Sequence, residues 1–280
     1  MTALPEQAAV VVIGGGAIGT SIAFHLAEAG VRDVLLLEAD ALACGSTSKS
    51  AGGVRAQFSD AVNIALGARS LPAFENFAKR PCADIDLHQV GYLFLHTDPT
   101  SWSIAQDAVA LQNAIGVPTQ LLTAAEAARL SPGAVVDDVI GATFHGRDGF
   151  CSPENVVHGY AWAARQRGAT IKVGTAVTGI ETSGGEVIGV HTADGVVRTS
   201  TVICAAGAWS AQIGHWAGQP LPIQPLRRQI LVSEPLGPEL RGVFADTTPM
   251  TIDAASTLYF HREGPGLLIG MSYTGETPGF

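Results

Sequence analysis

Val10-Val11-Val12-Ile13-Gly14-Gly15-Gly16-Ala17-Ile18-Gly19 opens the chain, and Glu38 closes the next apolar run. From Ala8 to Ile13 the run is continuously apolar, the pattern of a strand buried on both faces. Gly14 allows a tight turn, Gly16 lets backbone approach a pyrophosphate, and Gly19 lets a following helix pack close to the sheet. Ile18, Ile22, Leu26 and Ala29 then recur at helical spacing, and Gly30 suits the helix end. The first turn of that helix, with Ala17 and Ile18, offers N–H groups and partial positive charge to phosphate. Val34 to Leu37 reads as a second parallel strand. Glu38, followed by Ala39, stands about twenty residues beyond the glycines, where an acid hydrogen-bonds ribose hydroxyls. A lone glycine motif is weak evidence, but strand, glycines, helix, strand and acid in register are strong. The acid disfavours a 2′-phosphate and hence NADP; NAD and FAD both remain open.

Bulk properties narrow the class. The 280 residues suffice for one large or two ordinary domains. Hydrophobic residues make up 47% and charged residues 15%, the composition of a soluble globular enzyme. Net charge is −9, and no Lys/Arg run exceeds Arg227-Arg228, so nucleic acid is not an expected partner. No apolar run is long enough to span a bilayer. Met1 to Gln7 has no basic segment of the signal-peptide kind, and a cytoplasmic location is expected. The four cysteines (Cys44, Cys82, Cys151, Cys204) are scattered and read as reduced, mostly buried thiols. The eight histidines have no metal-ligand spacing, and no metal site is expected.

Further along, Ala43 to Arg55 is too small and polar for a core element and too long for an idle turn. Asp60 can cap a helix from Ala61 to Lys79. Gly91 to His96 reads as a strand, Ser101 to Ile115 as a helix, and Thr123 to Glu126 as a capping box. Val139 to His145 is a further strand. Ser152-Pro153 starts a helix that runs to Arg167 and stops at Gly168. Four short β-rich runs follow: Thr170 to Val173, Val177 to Glu181, Val187 to Thr192 and Val196 to Arg198. Hairpin turns at Gly184-Gly185 and Asp194-Gly195 separate them. Thr201 to Ala206 is again a buried strand. Arg228 to Glu234, Thr257 to His261 and Leu267 to Ser272 complete a second, β-rich region.

Four pieces together resemble the FAD-dependent amine and amino-acid oxidoreductases of the D-amino-acid oxidase superfamily. They are Gly14 to Gly19, Gly45 to Arg55, Val202 to Ser210, and Pro225 to Gln229. The likeness is nearest to the sarcosine oxidase, glycine oxidase and dimethylglycine dehydrogenase branches. It implies an α/β fold, α+β overall. A Rossmann-like FAD-binding domain (1–84 and 146–219) would interleave with an antiparallel-sheet substrate domain (85–145 and 220–280). It implies FAD rather than NAD. Gly14, Gly16 and Gly19 would hold the pyrophosphate and Glu38 the adenosine ribose. Ser46, Thr47, Ser48, Lys49, Gly52, Gly53 and Val54 would run beneath the ribityl chain and flavin ring. Small residues suit that job because main-chain N–H groups can face phosphates and hydroxyls add donors. Val177 would bracket the adenine, while Ala206, Gly207 and Trp209 would pass close to the cofactor. No histidine lies between Gly45 and Gly53, so noncovalent FAD is expected.

The resemblance also implies oxidation of a C–N bond in a small amine or amino acid. The α-hydride would pass to flavin N5, giving an imine that water hydrolyses. Oxygen or another acceptor would then take the electrons. The cofactor carries the hard step, so the protein must desolvate, orient and set charge. An amino-acid substrate needs a cation for its carboxylate, ideally a bidentate arginine. Arg55, just past the flavin loop, is favoured over Arg228 and Arg262. Tyr259 and His261 alternate along one strand, share a face and are further candidates.

Family members extend beyond the equivalent of Phe280 with a segment that closes over the flavin. Truncation, or a partner chain completing the flavin site, is therefore expected. The stretch Gly52 to Ser59 also resembles members with assembly roles, so a scaffold subunit with structural FAD is the alternative.

Overall fold

The computed structural model describes residues 3–280. The opening run folds as β1 (Val10–Ile13), α1 (Ala17–Glu28) and β2 (Val34–Leu37). β1 and β2 pair in parallel, Val10 opposite Val34 through Ile13 opposite Leu37. Gly30 takes a left-handed φ of 88°, which ends the helical path just past α1.

β3 (Gly53–Val54) and α2 (Ala61–Glu75) come next. Asp60 caps α2 by accepting from the Asn63 N–H at 2.9 Å. The helix ends at Glu75 rather than Lys79, because Phe77 and Lys79 donate to carbonyls three residues back and tighten the chain into turns. β4 (Tyr92–His96) leads to α3 (Pro99–Ile115). α3 starts earlier than Ser101 because Asp98 is the cap, accepting from the Ser101 N–H at 2.8 Å, and Pro99 opens the first turn. The strand β5 (Gln120–Leu122) precedes α4 (Ala124–Leu130), whose capping box forms between Thr123 and Glu126 as the sequence predicts. β6 (Gly141–His145) and β7 (Gly149–Phe150) then lead to α5 (Pro153–Gln166).

The remaining elements are β8 (Thr170–Lys172), β9 (Val177–Ser183), β10 (Glu186–Thr192), β11 (Gly195–Arg198) and β12 (Val202–Cys204). α6 (Ser210–Trp216), β13 (Gln229–Val232), α7 (Pro238–Arg241), β14 (Met250–Asp253), β15 (Tyr259–Glu263) and β16 (Gly266–Met271) complete the chain.

These strands build two main sheets. A four-stranded parallel sheet runs β12-β1-β2-β8, joined by a three-stranded antiparallel β11-β10-β9. A seven-stranded sheet runs β13-β16-β15-β14-β4-β6-β5. It is antiparallel except that β14 pairs with β4 in parallel, which the sequence reading did not anticipate because β14 itself was overlooked. A two-stranded link, β3 with β7, ties the glycine-rich loop to the larger sheet.

One core lies between the parallel sheet and helices α1 and α5, where Val12, Phe24, Leu36, Ala163 and Ala164 are buried together. Alanines at this seam let the two helices approach closely. Burying the Phe24 ring alone contributes about 1.5–3 kcal/mol. The guanidinium groups of Arg80 and Arg167 cover that ring, and both pair with Glu28. A second core under the larger sheet gathers Leu93, Leu95, Ala127 and Ala142.

All four cysteines are free, but the expectation that most are buried fails. Cys151 alone is buried, while Cys82 and Cys204 sit on loops or strand ends that face solvent. Among the described residues no helix is long and apolar enough to cross a membrane.

Candidate active site

The carboxyl ends of β1, β2 and β12 meet at one edge of the parallel sheet. Gly14 turns there with a φ of 113°, and its N–H donates to Leu37 O at 2.9 Å. A Cβ on Gly14 would stand 2.4 Å from Ala205 O, and one on Gly19 would stand 1.9 Å from Gly14 O. No side chain fits at either place. Glu38 closes the loop: Oε2 accepts from the Gly15 N–H at 2.6 Å and Oε1 from the Asp40 N–H at 2.9 Å. Each oxygen keeps a lone pair for a hydroxyl donor. The Ala17 N–H donates to Thr47 Oγ1 at 3.2 Å. Among the described residues, the N–H groups of Gly16, Ile18 and Gly19 have no acceptor. They form an open donor set at a helix N-terminus, beside the exposed Ile18.

The second glycine loop wraps against this edge. Ala43 N–H donates to Gly15 O, Ser48 N–H to Ala43 O, and the Ser50 hydroxyl to Thr47 O. Ser46, Ser48 and Lys49 are exposed along it. Gly52 has a φ of 65°, and a Cβ there would meet Cys151 O at 2.1 Å. Ala206 and Gly207 lead into a short helical turn that leaves Trp209 exposed near Gly45, its ring stacked on Phe280 at 5.4 Å. Val177 is half-buried at the start of β9, two residues after Thr175, whose N–H donates to Glu38 O at 2.8 Å. Thus Gly14, Gly16, Ala17, Ile18, Gly19, Glu38, Thr47 and Val177 gather at one edge. Ser48 and Lys49 of the same loop help line a cavity of about 650 Å³, with His88, Glu154 and Arg262.

Past Gly53 and Val54 the chain delivers Arg55 to the face of the larger sheet. Its guanidinium carbon lies 4.6 Å from the Phe58 ring centre, 5.5 Å from Phe94 and 5.9 Å from Tyr92. Among the described residues, no acid lies within ion-pair distance of Arg55. Tyr92 and Phe94 alternate on β4 and therefore share that face. The Tyr92 hydroxyl rests on Gly53, where a Cβ would stand 1.9 Å from it. Burial pushes the Tyr92 phenol above its ordinary range, opposed by the charge of Arg55.

A buried polar network holds this arrangement. Asp148 accepts from the Ala56 N–H at 2.8 Å through Oδ1 and lies 2.7 Å from His145 Nδ1. Gln57 Nε2 donates to Tyr92 O at 2.9 Å, and Thr143 donates to Gln57 Oε1 at 3.0 Å. The sequence reading missed these residues. Asp148-Gly149 looks like an ordinary turn, and nothing local marks its carboxylate as buried.

Of the other predicted residues, Tyr259 stands in register with Phe94 across β14, whereas Arg228 and Arg262 are turned to acid partners. Tyr259 lies on β15 over Gly270, and burial raises its phenol. His261 is buried and stacked on Phe150 at 4.1 Å, with Nδ1 2.6 Å from Arg262 O. Arg262 pairs with Asp246. Arg228 donates to Tyr273 O at 2.8 Å and pairs with Glu276, at the outer side of the larger sheet.

Residues 9–279 match the family model described as FAD dependent oxidoreductase. The chain belongs to that family. The dimethylglycine dehydrogenase of Rattus norvegicus, a mitochondrial protein, is 28% identical over 95% of this chain. The mitochondrial pyruvate dehydrogenase phosphatase regulatory subunit of Mus musculus is 30% identical over 96% of it. The chain spans 31% and 30% of the lengths of those relatives. The solved structure of L-proline dehydrogenase from P.horikoshii superposes with a TM-score of 0.89 at 32% identity, covering 98% of this chain and 72% of that one. As a member of the FAD-dependent oxidoreductase family, the chain has residues that fit the cofactor. The side-chain-free turn at Gly14, the open N–H groups of α1 and the acid at Glu38 match the phosphates and ribose of a dinucleotide.

Proposed function

We propose that this chain binds FAD noncovalently and oxidises the C–N bond of a small amine or amino acid that carries a carboxylate. Supporting the reading above all is Arg55: a guanidinium framed by Phe58, Tyr92 and Phe94, two residues past Gly53, with no acid beside it. A planar cation so placed offers two parallel donors to a carboxylate. Gly16, Ile18 and Gly19 would donate to the pyrophosphate and Glu38 would accept from the ribose. Ser46, Ser48, Gly52, Gly53, Ala206, Gly207 and Trp209 would line the path of the ring system. When bound, FAD supplies the two-electron acceptor for the oxidation. Around it, Tyr92 and Tyr259 would exclude water and fix the substrate's orientation on the sheet face. The division into an FAD-binding part (1–84 and 146–219) and a substrate part (85–145 and 220–280) is part of this proposal.

The test is the visible spectrum of the purified chain, recorded anaerobically before and after sarcosine, glycine, proline or dimethylglycine. Bleaching of the flavin band by one of them supports the reading. Flavin that none of them bleaches supports the alternative of an assembly role with structural FAD, which the likeness to a regulatory subunit favours. A chain that takes up no FAD contradicts both.

A further inference from the structure

Beyond Arg55 the same sheet face opens into a chamber of about 540 Å³ between α3 and strands β4 and β6. That volume is far larger than a glycine or sarcosine molecule needs, and it lies in the range of about 300–1,000 Å³ typical of small-molecule sites. Phe58, Phe94, Ala105, Ala108 and Val109 give the chamber apolar walls, with Arg55 in its lining. Gln112 and His96 also line it, and both are more than nine-tenths buried, at 4% and 7% exposure. Each is held on one side only. Gln112 Nε2 donates to Phe58 O at 2.7 Å, and His96 Nδ1 lies 2.9 Å from Ser101 Oγ. Gln112 Oε1 and His96 Nε2 have no partner in the protein. Both atoms are closed off from solvent, so the surface that the chamber offers is mainly that of its apolar side chains.

We infer that this chamber receives the substrate's side chain. The substrate is then an amino acid with an aliphatic chain of about four or more carbons, not a glycine-sized amine. The inference rests on the reading of Arg55 as the carboxylate site, from which the chain extends along Phe94 and the alanines of α3.

Equilibrium binding of acetate, butyrate and hexanoate to the FAD-loaded chain, measured by calorimetry, tests it. Affinity is expected to rise roughly fourfold per methylene, the value of a buried CH₂. Ala108→Phe, and independently Ala105→Leu, should flatten the series while leaving acetate binding intact. A flat series in the unsubstituted protein, with acetate still bound, overturns the side-chain pocket and spares the Arg55 reading. Carboxylate binding that is absent, or that Arg55→Met leaves unchanged, overturns the Arg55 reading and the pocket with it.

Discussion

Asp148, wholly buried, accepts a hydrogen bond from the Ala56 N–H at 2.8 Å, so the turn after β6 fixes the backbone that carries Arg55. The two residues are far apart in sequence, and the contact joins the glycine-rich loop to the larger sheet. Asp148→Ala would leave the Ala56 N–H and His145 Nδ1 without their acceptor. Leaving a buried donor unsatisfied costs about 1–3 kcal/mol. Chemical denaturation should show a loss of that order, while Asp148→Asn, which keeps an oxygen for Ala56, should lose less. Equal losses in the two variants would mean that the carboxylate does not hold Ala56 in this way.

Gly53 and Tyr92 make a second, steric pair. A methyl group at residue 53 would stand 1.9 Å from the Tyr92 hydroxyl, so Gly53→Ala must push that ring or the loop aside. Overpacking of this kind costs about 1–3 kcal/mol. We expect Gly53→Ala to weaken FAD retention, and the double variant Gly53→Ala/Tyr92→Phe to recover part of it by removing the clashing oxygen. FAD titration of the single and double variants gives the coupling. Strictly additive effects would show that the two do not meet at the site.

The nucleotide edge was legible because its constraints are local: Gly14, Gly19 and Glu38 act within one βαβ unit, and each glycine has a backbone reason that spacing reveals. The opposite face was only half legible. Arg55 stood out as a cation after an Ala-Gly-Gly-Val run, but its cage of Phe58, Tyr92 and Phe94 depends on which face of β4 turns inward. Alternation alone leaves that choice open when both faces are covered, as they are along β4. Arg228 and Arg262 are weaker candidates than Arg55 in the sequence, and the fold gives each an acid partner, Glu276 and Asp246. Ion pairs between distant segments leave no local trace.

Arg55→Met removes a charged donor without much change in bulk. Each hydrogen bond to a charged group contributes about 1.5–3 kcal/mol, so carboxylate affinity should fall about ten- to a hundredfold. Arg55→Lys should recover little, because an ammonium cannot match a carboxylate in two parallel bonds. An amine without a carboxylate should be indifferent to both changes. Steady-state kinetics or ligand titration separates these cases, and an equal loss for substrates with and without a carboxylate would remove Arg55 from that role.

Acid should destabilise the fold through two histidines. Burial holds the imidazoles of His96 and His261 below the ordinary value of 6.5. For His261 the Arg262 and Ala51 backbone and the charge of Glu263 oppose this, while His88 adds to it. Above about pH 6.5 neither the folded nor the unfolded chain protonates them, and their contribution to stability is complete. Below that pH the unfolded chain takes up protons that the fold resists, so stability falls as pH drops toward the lowered native values. Melting temperature should therefore decline from pH 7 to pH 5. His261→Phe keeps a ring against Phe150 but removes the proton site, so its decline should be shallower whatever its absolute stability. Identical slopes for the two proteins across that range would mean that His261 is as easily protonated in the fold as in the open chain.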